Sequence, residues 1–383
     1  MKYKILSLAV LIMFSIFLII GCGPKKLTSE SLLDEPEYHV SQGLKLLDRG
    51  DVEGAAQSFE RAKGLDPKYA EAYCGLALVE AARSNFKEAR SMAEKGISLS
   101  EKKNPWAYVV RGRVYLQERK GDDWLKKADR DFEKATKMDP ELSEAYFWWG
   151  VAKKNNFEFN KAGTLFSKAI EFKDDWSERA DFEYALVQKI QRAAPGTRVG
   201  MKIALMDEIT RADLAVLFME ELKLAEVLKK TGAKEYDTGF TAPDDPTQFK
   251  EDKEEAKDPV DLENHWANSW IRDILEYEVM ELSPDRKFYP NEKITRAEFA
   301  LFIQNIMIHA LHDESIATKY IVEDSRFKDM RSGTATYNAA ALCVDTNILD
   351  SNLDRTFEPM KTLGGTDALL SIRQFQNRLR MSF

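Results

Sequence analysis

The sequence predicts a mainly α protein: a solenoid of helical hairpins followed by a domain of three helical units. Three observations carry this. Small and apolar residues recur between residues 36 and 176 at a spacing near 34. A helix opening is written twice in the second half, as ITRADLAVLF from residue 209 and ITRAEFALFI from residue 294. In both halves the apolar positions follow helical spacing. The 383 residues suffice for two or three domains, and 44% hydrophobic with 31% charged residues is an ordinary globular composition. A net charge of −8, with no long basic block, argues against binding nucleic acid by phosphate neutralisation.

The first element is an address. Lys2 and Lys4 precede an apolar run over 5–20 that ends in IIGC at 19–22. The run falls short of the ~20 residues that cross a bilayer comfortably, so 1–21 reads as a signal peptide. The stretch resembles a bacterial lipobox, which implies that the Cys22 thiol is acylated, that cleavage occurs before it, and that membrane lipid is a partner. An uncleaved anchor with a chance cysteine is the alternative; either way the protein leaves the cytoplasm. Residues 22–35 are a linker after the lipidated cysteine. Only Cys74 and Cys343 remain, in different domains, and they read as buried small apolar residues rather than a disulfide or metal pair.

Four repeat units follow over 36–176. The first carries Gly43, Gly50, Ala55, Phe59, Ala62 and Pro67, and the second Tyr73, Leu76, Ala77, Phe86 and Ala89. The third carries Tyr108, Gly112, Tyr115, Ala128, Phe132, Ala135 and Pro140, and the fourth Tyr146, Trp149, Gly150, Phe159, Ala162, Phe166 and Ala169. Small Gly43, Gly112 and Gly150 let one helix approach another, while Ala-x3-Phe-x2-Ala sets three residues on one face of its partner. The pattern resembles the tetratricopeptide repeat (TPR). The second unit departs from it, with Ala93 in place of the large aromatic and Glu101 in place of the proline. The resemblance implies a concave groove, lined by register with Leu44, Leu47, Cys74, Leu78, Val109, Arg113, Phe147 and Val151. Those positions either receive an unidentified protein or peptide or pack against the next repeat.

An amphipathic helix over 178–193 and the turn APGTRVG lead into the second half. The segment 231–257, rich in proline and charge, is a linker without a calcium-loop pattern. After it, Trp266, Trp270, Ile271, Ile274 and Leu275 give one apolar face, and Phe288 with Pro290 marks the approach to a second helix. Phe327, Asp329, Leu342, Ile348, Leu349, Phe357 and Pro359 recur in the same order. Units over 177–230, 258–313 and 325–383 resemble the S-layer homology (SLH) domain. The first unit lacks the Phe-x-Pro approach. The resemblance implies a pseudo-threefold domain over 177–383 that binds peptidoglycan or an acidic wall polysaccharide, with Trp266 among the binding residues.

The repeated phrase has a physical reading. Thr295 at the N-cap can exchange hydrogen bonds with Glu298, and Thr210 with Asp213, as capping boxes; Ile294 with Phe299 and Ile209 with Leu214 form hydrophobic staples. Arg296 and Arg211 are left over. Each sits in a first helical turn, where the free amides disfavour a cation. An arginine beside outward-facing amides makes an anion site suited to a sugar carboxylate, so both are expected to bind the wall polymer; the alternative is a bridge to an acid on a neighbouring unit. The third copy has Gly365 at this position, which implies a silent or structural pocket.

No catalytic triad, Cys-His pair or phosphate loop stands out among four histidines, and His309 with His312 lacks a third metal ligand. No enzyme activity, cofactor or metal is expected. The chain reads as a lipid-anchored envelope protein that tethers a membrane to the wall while its repeats act as a scaffold. In a two-membrane bacterium Gly23, not being aspartate, favours the periplasmic face of the outer membrane; otherwise the outer face of the cytoplasmic membrane is expected. The rival reading is an assembly or secretion accessory lipoprotein whose SLH-like domain is only structural.

Overall fold

A computed structural model of the chain describes residues 26–31, 33–230 and 258–382. The expected signal peptide, Cys22 and the expected linker over 231–257 lie outside the described residues. The fold is mainly helical, and among the described residues the only β pairing is two isolated bridges, Thr210 with Lys293 and Thr295 with Thr362. The described residues up to Tyr184 form one compact unit, and those from Ala185 onward form a second.

In the first unit, helices pair as α1 (Pro36–Asp48) with α2 (Val52–Leu65), α3 (Ala70–Ala82) with α4 (Phe86–Leu99), α5 (Pro105–Glu118) with α6 (Trp124–Met138), and α7 (Ser143–Asn155) with α8 (Phe159–Glu171). The first helices of successive hairpins also stack, α1 on α3, α3 on α5 and α5 on α7. Proline opens α1 and α5, where the missing amide costs no helical bond. The Asp51 carboxylate caps α2 through the Gly54 amide at 2.9 Å. Phe59, Phe132 and Phe166 are fully buried, as are the alanines flanking them. A Cβ at Gly43, Gly112 or Gly150 would come within 2.6, 2.8 and 2.6 Å of those rings, so each glycine sets the spacing within its hairpin.

The second hairpin departs from this plan for visible reasons. Phe59 also lies against Gly75, across the join between hairpins, so that ring serves two approaches. Ala93 is fully buried, and Gly96 meets the Cys74 sulfur. The chain leaves α4 through left-handed Glu101 (φ 52°) and Lys102 (φ 63°), a conformation proline's ring forbids. α9 (Asp175–Ala193) follows as a further helix, with Trp176 packed on Phe147 at 5.1 Å and Trp148 at 6.0 Å.

The second unit contains α10 (Arg198–Ala204), α11 (Arg211–Glu220), α12 (Leu224–Lys230), α13 (Asn268–Glu276), α14 (Arg296–Leu311), α15 (Ala335–Asp345) and α16 (Gly365–Ser382). Its organising feature is a closed ring of backbone bonds. The Ile294 amide donates to the Ile209 carbonyl at 3.0 Å, Leu363 to Ile294 at 2.9 Å, and Ile209 to Leu363 at 2.9 Å. All three side chains are buried, so the helix openings of α11, α14 and α16 meet around a pseudo-threefold axis.

Both written-out openings carry capping boxes. Thr295 Oγ1 accepts from the Glu298 amide at 3.3 Å and Glu298 accepts from the Thr295 amide at 2.8 Å; Thr210 and Asp213 do the same at 3.2 and 2.8 Å. Thr295→Ala is expected to cost about 1 kcal/mol, read as a lower urea midpoint for the SLH-like unit. Ile271 and Ile274 are fully buried, whereas Trp266, expected on the same apolar face, is 52% exposed and precedes α13. The Phe-x-Pro approaches are tight loops with left-handed Tyr289 and Glu358, both at φ 57°. Asp261 and Asp329 secure them: Asp261 accepts from the Phe288 and Tyr289 amides at 2.9 and 2.7 Å, and Asp329 from Phe357 and Glu358 at 2.9 and 2.7 Å.

Candidate functional site

The capping boxes fix where each arginine leaves its helix, and the ring fixes which loop it meets. Arg296 Nε donates to the Phe357 carbonyl at 2.8 Å and Nη2 to the Asp350 carbonyl at 2.5 Å, with the guanidinium 4.7 Å above the Phe357 ring. Arg211 repeats this one unit earlier, with Nε on the Phe288 carbonyl at 2.8 Å and Nη2 on the Glu281 carbonyl at 3.1 Å. Its guanidinium lies 4.8 Å from the Phe288 ring. Each arginine joins its unit to the next through the Phe-x-Pro loop.

This arrangement corrects the open anion site expected from sequence. The Arg296 and Ala297 amides donate to the Lys361 and Pro359 carbonyls, and the Arg211 and Ala212 amides to those of Glu292 and Pro290. The leading amides of both helices therefore do not face outward. A bridge to an acid is not what replaces them, since among the described residues neither arginine has a carboxylate within salt-bridge distance. Partial burial pushes both guanidinium pKa values down, yet arginine stays protonated. Neutral carbonyls orient each cation without cancelling its charge. Glu298, Glu292 and Asp261 act on Arg211 only from a distance, as Glu358, Asp367, Asp350 and Asp329 do on Arg296.

The third joint is built differently. A Cβ at Gly365 would overlap the Ile203 carbonyl oxygen, because the end of α10 occupies the space an arginine would need. The Gly365 amide donates to the Met206 carbonyl at 2.9 Å and Thr366 Oγ1 to the Ala204 carbonyl at 2.6 Å. Nearby, the Glu221 side chain, 1% exposed, accepts from the Gly196 and Thr197 amides and from Arg373 Nη2 at 2.8 Å. Glu221 and Arg373 went unnoticed in the sequence because their partners are 25 and 152 residues away.

Trp266 presents an open face, 6.0 Å from Trp270, whose Nε1 donates to Glu220 at 2.8 Å. Among the described residues Trp266 stacks on neither arginine. In the hairpin array, Val109 is fully buried and Leu78 and Phe147 nearly so, out of reach of a groove ligand; Cys74 is likewise in the core. Leu44, Leu47 and Val151 are half-buried against the same core. Arg113 donates to Glu144 at 2.9 Å and stacks 4.2 Å over Trp148. Cys74 and Cys343 are free thiols whose pKa burial pushes well up. Among the described residues no cluster of three metal-ligating side chains occurs, and no helix is long and apolar enough to cross a membrane.

Comparison with known proteins places these features. Residues 260–300 are an S-layer homology domain match, spanning Asp261, Trp266, the Phe288 loop that receives Arg211, and Arg296. No curated protein matches the chain. Among solved structures it is similar to TTC0263, a thermophilic TPR protein of Thermus thermophilus, at 17% identity over 50% of this chain and 94% of that one, with a TM-score of 0.37. It is also similar to YrrB, described as a TPR protein with an unusual peptide-binding site, at 21% identity over 42% and 79% of the two chains, TM-score 0.28. A third is pilF of Pseudomonas aeruginosa, at 18% identity over 51% and 90%, TM-score 0.32. The chain joins a stack of helical hairpins to a C-terminal unit in which residues 260–300 match the S-layer homology domain.

Proposed function

We propose that the chain is a non-enzymatic cell-envelope lipoprotein that tethers a membrane to the cell wall. Acylated Cys22 holds the membrane. The SLH-like unit holds peptidoglycan or an acidic wall polysaccharide at its two arginine joints, with Trp266 as a stacking face, and the hairpin array serves as a protein-interaction scaffold. The observation that carries the reading is the state of Arg211 and Arg296 within and beside the SLH match. Both cations are oriented by neutral carbonyls and keep an uncancelled charge, the condition an anionic sugar needs. Several weak joints on one polymer give useful avidity.

Sedimentation of the full chain with purified sacculi tests this, and failure to co-sediment would sink the tether. Anchoring has its own test. Cys22→Ser is expected to lose palmitate labelling and to keep its leader uncleaved, seen as a larger mass, whereas retained labelling would exclude the Cys22 thiol as the acylated group. One observation favours a second reading. Because each arginine already bridges two units, the joints would persist in a domain with no ligand, leaving an assembly or secretion accessory lipoprotein in which the array is the working part.

A further inference from the structure

Four charged side chains of the hairpin array that membrane and wall attachment do not use act on one another. They come from the first helices of the hairpins and from α9: Asp48 on α1, Arg113 on α5, Glu144 on α7 and Arg179 on α9. Arg113 and Glu144 form a fixed inner pair, 22% and 11% exposed. Glu144 also receives Trp106 Nε1 at 3.0 Å. Burial raises the Glu144 carboxyl pKa and lowers that of Arg113, but the pair has hydrogen-bonded geometry on both sides. Each Glu144 oxygen therefore already has a donor.

Asp48 and Arg179 form an outer pair of different character. They lie 131 residues apart, with Arg179 Nη2 and Nη1 on the two Asp48 oxygens at 2.7 and 3.3 Å. The side chains are 56% and 46% exposed, and an exposed ion pair is cheaply broken. The Arg179 guanidinium lies 4.9 Å over Trp176, which packs on Phe147 and Trp148. Leu44 and Leu47, on the same helix as Asp48, are half-buried beside the core that also holds Trp148 and Val151. A planar guanidinium on an aromatic floor, with an apolar border and a two-point carboxylate already seated, is a carboxylate-binding arrangement whose current occupant belongs to the chain itself.

We infer that Asp48 holds the place of a ligand carboxylate, and that the array takes an acidic peptide with apolar flanks whose carboxylate displaces Asp48 from Arg179. This rests on the reading of the array as a protein-interaction scaffold and adds the class of partner and an internal competitor. An acidic sugar fits less well, because Leu44, Leu47 and Val151 offer ring hydroxyls no hydrogen-bond partners.

The test is fluorescence anisotropy with the full chain and two short labelled peptides. One alternates leucine and glutamate with a free carboxyl terminus; the other has glutamine for glutamate and an amidated end. The acidic peptide is expected to bind, Asp48→Asn to tighten it by about two- to fivefold, and Arg179→Met to weaken it by roughly tenfold or more. Arg179→Lys should restore only part of the loss, and unchanged melting curves show that the variants are folded. Equal or weaker binding by Asp48→Asn overturns the displacement. Equal binding of the glutamine peptide overturns the carboxylate class while leaving the scaffold reading in place, and absence of binding by either peptide removes both. Displacement of the acidic peptide by a galacturonate oligomer at lower concentration overturns the choice of peptide over sugar.

Discussion

Gly365→Ala is expected to destabilise the SLH-like unit by about 2–3 kcal/mol, although alanine is the better helix former. Two effects compete. Alanine in a helix gains up to about 1 kcal/mol over glycine, and Gly365 opens α16 without a left-handed backbone that would forbid a side chain. Against this, the new Cβ would overlap the Ile203 carbonyl oxygen, a backbone atom that cannot rotate aside. Overpacking against a side chain costs about 1–3 kcal/mol, and a backbone obstacle belongs at or beyond the upper end. Relief requires α10 and α16 to separate, which strains the Gly365 bond to Met206 and the Thr366 bond to Ala204. Hydrogen–deuterium exchange should show faster exchange in peptides from α10 and α16, with α1 to α8 unchanged. Wild-type exchange in both helices would mean the joint is loose enough to accept a side chain. Gly365→Arg, which writes the third copy like the other two, is expected to be worse, because the loop that would receive the arginine is replaced by α10.

That contrast marks what the sequence discloses and what it withholds. The capping boxes are legible because Thr295 and Glu298, or Thr210 and Asp213, lie within one helical turn. The hairpins are legible because each glycine and its phenylalanine are 16 to 20 residues apart in a repeating frame, as with Gly43 and Phe59 or Gly112 and Phe132. The arginines show the limit. Their departure from helix electrostatics is visible in the phrase, but their destination is a carbonyl 77 residues on for Arg211 and 61 for Arg296, which no local rule specifies. Backbone acceptors are also the partners hardest to read, since every residue carries one. The groove shows the same limit from the other side. Register correctly assigns Val109 and Leu78 to the first helices of their hairpins, but curvature and neighbouring hairpins decide that they are covered. Asp48 and Arg179 meet only because that curvature brings α1 and α9 together.

The second large effect expected is loss of wall binding on replacing the joint arginines. Arg296→Met should weaken co-sedimentation of the full chain with sacculi by roughly 10- to 100-fold, the size of one lost charge-assisted contact, and the double variant with Arg211→Met should abolish it. The difficulty is that these arginines also hold the fold. Removing Arg296 takes donors from the Phe357 and Asp350 carbonyls and a cation from the Phe357 ring. Because the Arg296–Asp350 bond is exposed, water can replace that donor, and the structural loss should be about 1–2 kcal/mol. Thr295→Ala supplies the control, with a stability cost of about 1 kcal/mol at the same helix end and no change of charge. Arg296→Lys separates charge from shape, since lysine keeps the cation but cannot span two carbonyls as a planar fork. If charge binds the wall polymer, Thr295→Ala retains sacculi, Arg296→Lys retains part of the affinity, and Arg296→Met loses it. If the arginines only fasten the units together, affinity will follow the urea midpoint across all three, with Arg296→Lys falling wherever its stability places it. Wild-type co-sedimentation by the folded double variant would remove the arginine joints from the wall site altogether and leave the exposed face of Trp266 as the place to look.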